Sequence, residues 1–271
     1  MPTGSKTFRT QIDGRPATTE DLVPLAFAGF AHFTAMQIRG GKVRGLDLHL
    51  ARLRAASIEF FGRALPDDRI ISFLRTAIGG GPTDLSLRAT IFSRTGEFTA
   101  GSIDEEPSVL VRTSPASNGP QGPLRLIAVT HERPFPTIKH VGESSKTFYL
   151  REAVRLGFDD AAFLDAGGRV SEATIWNLAF WDGQSVIWPM AAMLAGTTMS
   201  IVRRQLDLLG IAQRQEQITL DSLADLRGAA VMNSWTPGVA VTGIGSFTLR
   251  EATPFLEALH RAFRAEPLHS I

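Results

Sequence analysis

The stretch DDAAFLDAGGRVSEATIWNLAFWDGQSVIWP, residues 159–189, packs several short apolar runs between the turn pairs Gly167-Gly168 and Asp182-Gly183. Runs this short cannot be stable helices, whereas Gly-Gly and Asp-Gly are turns on which antiparallel strands reverse. The pattern therefore predicts a series of hairpins, and with it a β-rich, barrel-like domain in the C-terminal half. The first hairpin turns at Gly167-Gly168 and carries Glu172 and Asn177 on its returning side.

Upstream, SPASNGPQGP has the Pro, Gly, Ser and Asn content of a linker. It divides the chain into an N-terminal domain over 1–113, a linker over 114–122 and a C-terminal domain over 123–271. In the first, PLAFAGFAHFTAMQIRGGKVRGLDLHLARLRAASIEFFG reads as strand, Gly-Gly turn, short strand and an amphipathic helix from about Asp47, with Leu48, Leu53 and Ile58 on its apolar side. DDRIISFLRTAIGGG is helical and stops at its glycines, and LSLRATIFSR and PSVLVRTS alternate as strands. Beyond the linker, LRLIAVT is a strand. SKTFYLREAVRLG is a helix with Phe148, Leu150 and Val154 on its apolar side, TTMSIVRRQLDLLG, DSLADLR and TPFLEALHRAFRA are helices, and GAAVMNSWTPGVAVTGIG is strand, loop, strand. The order is mixed α and β in both halves, so the fold class is α/β or α+β.

Charge and composition exclude several functions. Lys and Arg number 28 against 27 Asp and Glu, a net charge of +1, so there is no bulk attraction for nucleic acid or an anionic membrane, and any anion site must be local. The absence of cysteine removes disulfides, thiolate metal sites and cysteine nucleophiles. His32, His49, His131, His140, His260 and His269 are scattered without paired ligand spacing, so no metal site is expected. The N-terminal MPTGSKTFRTQIDGRPATTE has no apolar core of signal-peptide length and no later run approaches a membrane span, which makes the cytoplasm the expected location.

Two lysines lie close together in PTIKHVGESSKTFYLREA. Lys139 follows an apolar residue and precedes Gly142, where the backbone turns; a lysine in such a place can enter a pocket, and a partly desolvated amine can attack a carbonyl. Lys146 opens a helix and is expected to face water.

Read in order, IKH, AAFLDAGGRVSEATIWNLAFWDG, MLAGTTMSIVRRQL and MNSWTPGVAV resemble the class IV, fold type IV, pyridoxal-phosphate aminotransferases, a family that includes branched-chain and D-amino acid aminotransferases and aminodeoxychorismate lyases. The resemblance runs from about residue 25 to 245 and implies a small N-terminal α/β domain and a larger barrel-like C-terminal one. It implies that Lys139 forms a Schiff base with pyridoxal 5'-phosphate and shuttles a proton, and that Glu172 accepts a hydrogen bond from the pyridine nitrogen. Asn177 matches the family's Asn-Leu after that glutamate. Arg52 matches its phosphate-binding arginine, Gly196, Thr197 and Thr198 open a helix whose amides favour a phosphate, and Ser234 and Trp235 match a second phosphate-side loop. The expected reaction moves an amino group between an amino acid or amine and a keto acid, in a homodimer. The alternatives are a lyase that eliminates pyruvate, as aminodeoxychorismate lyase does, and a non-catalytic homologue.

The chain also departs from the family. Thr34 and Ala35 stand where many members carry an aromatic residue and a glutamate, and Glu143 and Ser144 stand where many carry a tyrosine. The single tyrosine, Tyr149, is expected in the core. Trp176 is bulkier than the residues usual beside the asparagine and, with Trp235, is expected to narrow the pocket. The donor, the acceptor and the hand of the substrate stay open.

Overall fold

The strand AHFTAMQI buries His32, Thr34, Met36 and Ile38 and leaves Phe33, Ala35 and Gln37 only partly covered, the two-residue period of a sheet with one face on a core. It belongs to the first of two units in a computed structural model that describes residues 8–98 and 106–271; the first seven residues of the polar N-terminal lead lie outside them. This unit gathers the chain up to Ser117 together with Ile138–Gly142 and Leu268–Ile271. Its elements are β1 (Thr10–Ile12), β2 (Arg15–Pro16), a single helical turn α1 (Thr19–Leu22), β3 (Ala31–Ile38), β4 (Lys42–Arg44), α2 (Leu46–Phe61), α3 (Asp67–Ile78), β5 (Leu85–Phe92) and β6 (Ser108–Pro115).

Five strands form an antiparallel sheet in the order β2-β1-β6-β5-β3. Side chains of α2 and α3, among them Leu50, Leu53, Ile70 and Leu74, share a core with Met36, Ile38, Leu87 and Val111. The inward stripe of α2 runs through His49, Leu50, Leu53, Ala56, Ser57 and Phe61, at helical spacing. Ile58, expected on that stripe, is 53% exposed: the buried row passes beside it, through Ser57 and Phe61.

The second unit comprises residues 118–137 and 143–267. It contains β7 (Leu124–Thr130), α4 (Ser144–Arg155), β8 (Asp160–Leu164), β9 (Val170–Ala173), β10 (Asn177–Trp181), β11 (Val186–Pro189), α5 (Thr197–Leu208), β12 (Gln213–Glu216), β13 (Gly228–Met232), β14 (Val239–Ile244), β15 (Phe247–Thr248) and α6 (Thr253–Ala265). The strands run β12-β11-β10-β13-β14-β7-β8-β9, and β9 also pairs β10, so β10, β13, β14, β7, β8 and β9 close into a ring. Closure removes the open edges that a sheet otherwise exposes. One core cluster includes Leu126, Val170, Leu178, Val231 and Val241, and a second packs Val202, Leu206, Phe255 and Leu259 of α5 and α6 against Ala179, Trp188 and Ala230.

Two helical expectations differ here. DSLADLR forms only a short 3-10 segment, Asp221–Asp225. In α4 the inward residues are Ala153 and, partly, Tyr149, which meet Phe163 and Ala161; Phe148 and Val154 are 59% and 61% exposed. The single tyrosine wins the inward position because its ring edge packs on Phe163 and His131. Finally β16 (Leu268–Ser270) pairs antiparallel with β4 in the first unit. No helix among the described residues is long and apolar enough to cross a membrane.

Candidate active site

In the second unit the ring closes through one residue pair, Glu172 opposite Asn177. Gly168, at φ +75°, supplies the left-handed turn residue of the hairpin that brings Glu172 there. Both side chains are buried, at 4% and 6% exposure. A carboxylate so placed needs a counter-charge. Arg133 supplies it: its Nη1 donates to Glu172 Oε1 at 2.8 Å and to the Pro136 carbonyl at 3.0 Å, while its Nε donates to Glu143 Oε1 at 2.6 Å. Burial works against the charge on Arg133, but the two glutamates outweigh it and raise the pKa of the guanidinium.

Lys146, expected in water, is half-buried in this unit. Burial pushes its pKa down, aided by the charge of Arg133, while Glu172, Glu143 and Asp160 pull it back. The helix that presents it is turned from the expected face, which carries Lys146 toward the glutamates.

Asn177 links the closing pair to α5. Its Nδ2 donates to the Leu194 carbonyl at 2.7 Å, and its Oδ1 lies where a Cβ on Gly196 would stand, 1.9 Å from the ideal position. Gly196 therefore has to be glycine: it is the residue before α5, and Thr197 and Thr198, both buried, form the first turn. The amides of a first turn have no partner within their own helix and carry the positive end of its dipole. Asn177 also pairs in register with Met232, the last residue of β13. The loop that follows bends on Asn233, whose Oδ1 accepts from the Trp235 amide at 2.8 Å. Glu172, Asn177, Thr197, Thr198 and the Ser234-Trp235 loop thus meet at one end of β9, β10 and β13.

Trp176 and Trp235 stand edge to face, with ring centroids 5.8 Å apart. Trp176 is fixed from behind by Asp160, whose Oδ2 accepts from its indole Nε1 at 2.8 Å; Oδ1 accepts from the Thr174 hydroxyl and the Ala161 amide. Burial raises the pKa of Asp160 against the pull of these donors.

In the first unit, Ile138–Gly142 lies along β3 as an added edge strand. The Phe33 amide donates to the Lys139 carbonyl at 2.9 Å, the Val141 amide to the Ala31 carbonyl at 2.7 Å, and His32 bridges His140. Paired residues share a face, and Lys139 Nζ lies 4.9 Å from the centre of the Phe33 ring. The other face of β3 meets α2. There Arg52 Nη2 donates to the Thr34 hydroxyl, and Thr34 Oγ1 lies 2.6 Å from His49 Nδ1. The Nε–H of Arg52 is buried, and no described residue accepts from it. Burial brings the guanidinium pKa down to about 10. Arg54 points to a different side of the helix and pairs with Asp67.

Phe33 and Arg133 are absent from the sequence reading, and His49 appears in it only among the scattered histidines. Phe33 and His49 had signals: Phe33 has opposite parity to the buried residues of its strand, and His49 precedes Arg52 by three on a helix. Arg133, in the irregular segment HERPFP, had none. Thr34 does not take the place of a substrate-facing aromatic residue, because it is fully buried and occupied by Arg52 and His49. Among the described residues no group of His, Asp and Glu is placed to hold a metal ion.

A closed barrel unit with a buried glutamate at its closure, and a sheet unit with a lysine on its edge strand, define the fold type IV architecture. The class IV amino-transferase family model matches residues 31–244, and the chain belongs to that family. A probable branched-chain-amino-acid aminotransferase of Rickettsia felis is 25% identical over 251 residues, which cover 84% of this chain and 85% of the relative. Among solved structures, a branched-chain aminotransferase from Thermoproteus uzoniensis with norvaline has a TM-score of 0.80 at 19% identity, covering 95% of this chain and 94% of that one. A putative 4-amino-4-deoxychorismate lyase from Legionella pneumophila gives 0.79 at 17%, covering 90% and 93%. At these identities the structural likenesses show the shared fold.

Proposed function

We propose that this class IV aminotransferase works with pyridoxal 5'-phosphate held by Lys139, Arg52, Glu172, Asn177, Thr197, Thr198, Ser234 and Trp235. The observation that carries the reading is Glu172, a carboxylate buried at the barrel closure and braced by Arg133. The remaining residues fit a phosphorylated ligand. Arg52 has a buried donor that no described residue satisfies, and Gly196 opens α5 where any larger residue would strike Asn177. Bound, the cofactor supplies a carbonyl that takes up an amino group and a ring that draws electrons from the neighbouring carbon.

Each residue then has a task. The Lys139 amine, once freed by a substrate amine, would take a proton from the substrate carbon and deliver it on the cofactor side instead of back to that carbon, the shift that amino transfer requires. Glu172 accepts a hydrogen bond from the ring nitrogen and keeps a proton on that atom, and Arg133 holds the carboxylate in place for it. Arg52 and the first-turn amides of α5 bind the phosphate oxygens. The Trp176–Trp235 pair, anchored by Asp160, limits the size of the substrate.

The name of the Rickettsia felis relative makes L-leucine, L-isoleucine and L-valine the first donors to try, with a keto acid as acceptor. The enzyme is proposed to act as a homodimer in the cytoplasm. The test is the visible absorption spectrum of the purified protein with added pyridoxal phosphate, followed through a panel of L- and D-amino acids and aminodeoxychorismate. The expected result is a protein-bound band that Lys139→Ala abolishes and that one amino-acid donor bleaches. Pyruvate release from aminodeoxychorismate without donor bleaching would assign a lyase instead, and no band would overturn the cofactor reading.

A further inference from the structure

We infer that His49 is a positioning residue for Arg52, acting through the Thr34 hydroxyl, and that it thereby sets how tightly the site grips the phosphate group of its ligand. The inference rests on the cofactor reading above and extends it to a residue outside the proposed ligand shell.

The starting point is a cation placed where water is scarce. Arg52 has no carboxylate bonded to it among the described residues, its Nε–H is buried without an acceptor, and its one side-chain hydrogen bond is to Thr34. A long side chain of this kind has several rotatable bonds and loses rotamer freedom when fixed, so something must hold it while the anion is away. The Thr34 hydroxyl does this, and it is itself directed. A guanidinium only donates, so Thr34 Oγ1 accepts from Arg52 and has one proton left to give. The atom within reach is His49 Nδ1, at 2.6 Å. The arrangement that sets a donor against an acceptor in both bonds of the Thr34 hydroxyl is Arg52 to Thr34 to His49, with His49 neutral and its proton on Nε2.

The electrostatics agree with that direction. Burial, and then the charge of Arg52, drive the His49 pKa well below its ordinary value, so the ring stays an acceptor at neutral pH. His49 also precedes Arg52 by three residues on α2, so one rigid helix carries both ends of the relay and β3 carries its middle.

The same helix and strand contain a natural control. His32 Nε2 lies 2.9 Å from the Ser57 hydroxyl, which also ties β3 to α2 but does not lead to Arg52. If histidines here only dock the helix, His32 and His49 should behave alike.

The experiment is equilibrium dialysis of the full-length protein against pyridoxal phosphate and, separately, against pyridoxal, which lacks the phosphate. Arg52→Ala should weaken pyridoxal phosphate by about thirtyfold or more and leave pyridoxal within about twofold. His49→Phe keeps the ring volume without the acceptor and should cost about tenfold, again for the phosphorylated ligand alone. His49→Asn restores an acceptor near the Nδ1 position and should recover most of the loss. Thr34→Val should match His49→Phe, with the double variant no worse than either, and it carries the test should His49→Phe fail to fold. His32→Gln should lower the melting temperature without a phosphate-selective loss. Equal losses for both ligands in His49→Phe, or none, would overturn the inference while a selective Arg52→Ala effect left the cofactor reading standing. A non-selective Arg52→Ala effect would remove both.

Discussion

At the scale of single residues, Lys139 and Glu172 are held in opposite ways, and their variants should differ accordingly. Lys139 is fixed through its backbone, and its amine lies over the face of the Phe33 ring. Lys139→Ala should therefore fold with a melting temperature within about 2 °C of the parent, while amino transfer falls by roughly 10³-fold or more. Calorimetry and stopped-flow absorbance on the same preparation check both halves. Glu172 is fixed through its charge. Glu172→Gln takes one of two carboxylates from a buried guanidinium, and breaking such a network should cost about 3 kcal/mol in a denaturant titration. Adding Arg133→Met and Glu143→Gln to Glu172→Gln should recover part of that loss, because a buried triad removed together leaves none of its members stranded as a charge.

At the scale of elements, the N-terminus of α5 gives the sharpest steric prediction. A methyl group at residue 196 would have to displace Asn177 Oδ1 and with it the 2.7 Å bond to Leu194. Gly196→Ala should weaken pyridoxal phosphate by at least about tenfold in a fluorescence titration. The elements themselves were mostly readable in the sequence. Short apolar runs between Gly-Gly and Asp-Gly turns gave the hairpins, and the threonines after Gly196 gave the start of α5, because turn and helix-opening chemistry is local. Which side of a helix faces inward was less readable. Ile58, Phe148 and Val154 lie on the outside although hydrophobic, since tertiary packing chose the rows carrying Ser57 and Tyr149. The matched site residues were legible as types in order. The salt bridge that braces Glu172 was not, because Arg133 lies 39 residues away in a segment without periodicity.

For the molecule as a whole, two neutral histidines beneath one arginine limit its tolerance of acid. Burial, and then Arg52, bring the His32 pKa from 6.5 down to about 3, and His49 is lowered by the same two causes. The folded protein therefore excludes protons that the unfolded chain binds. Stability is full above pH 6.5 and is lost as the pH falls toward 3, by about 3 kcal/mol at pH 4.5 for His32 alone. Asp160, raised by burial, works in the other direction, beginning only near carboxylate pH. Denaturant melts between pH 7 and 4.5 should show the decline, and His32→Gln should flatten it.

The added edge strand that carries Lys139 also determines how the protein can evolve. Lys139 shares a face with Phe33 because Ile138–Gly142 holds one register on β3, and a shift of one residue would turn the amine to the opposite face. Substitutions in this segment can be tried one at a time without moving the lysine, but inserting or deleting a single codon before it, with the strand pairing kept, would put Ile138 or His140 in its place. Descendants of this chain should thus accumulate length changes in their exposed turns while this short segment drifts in composition and keeps its count.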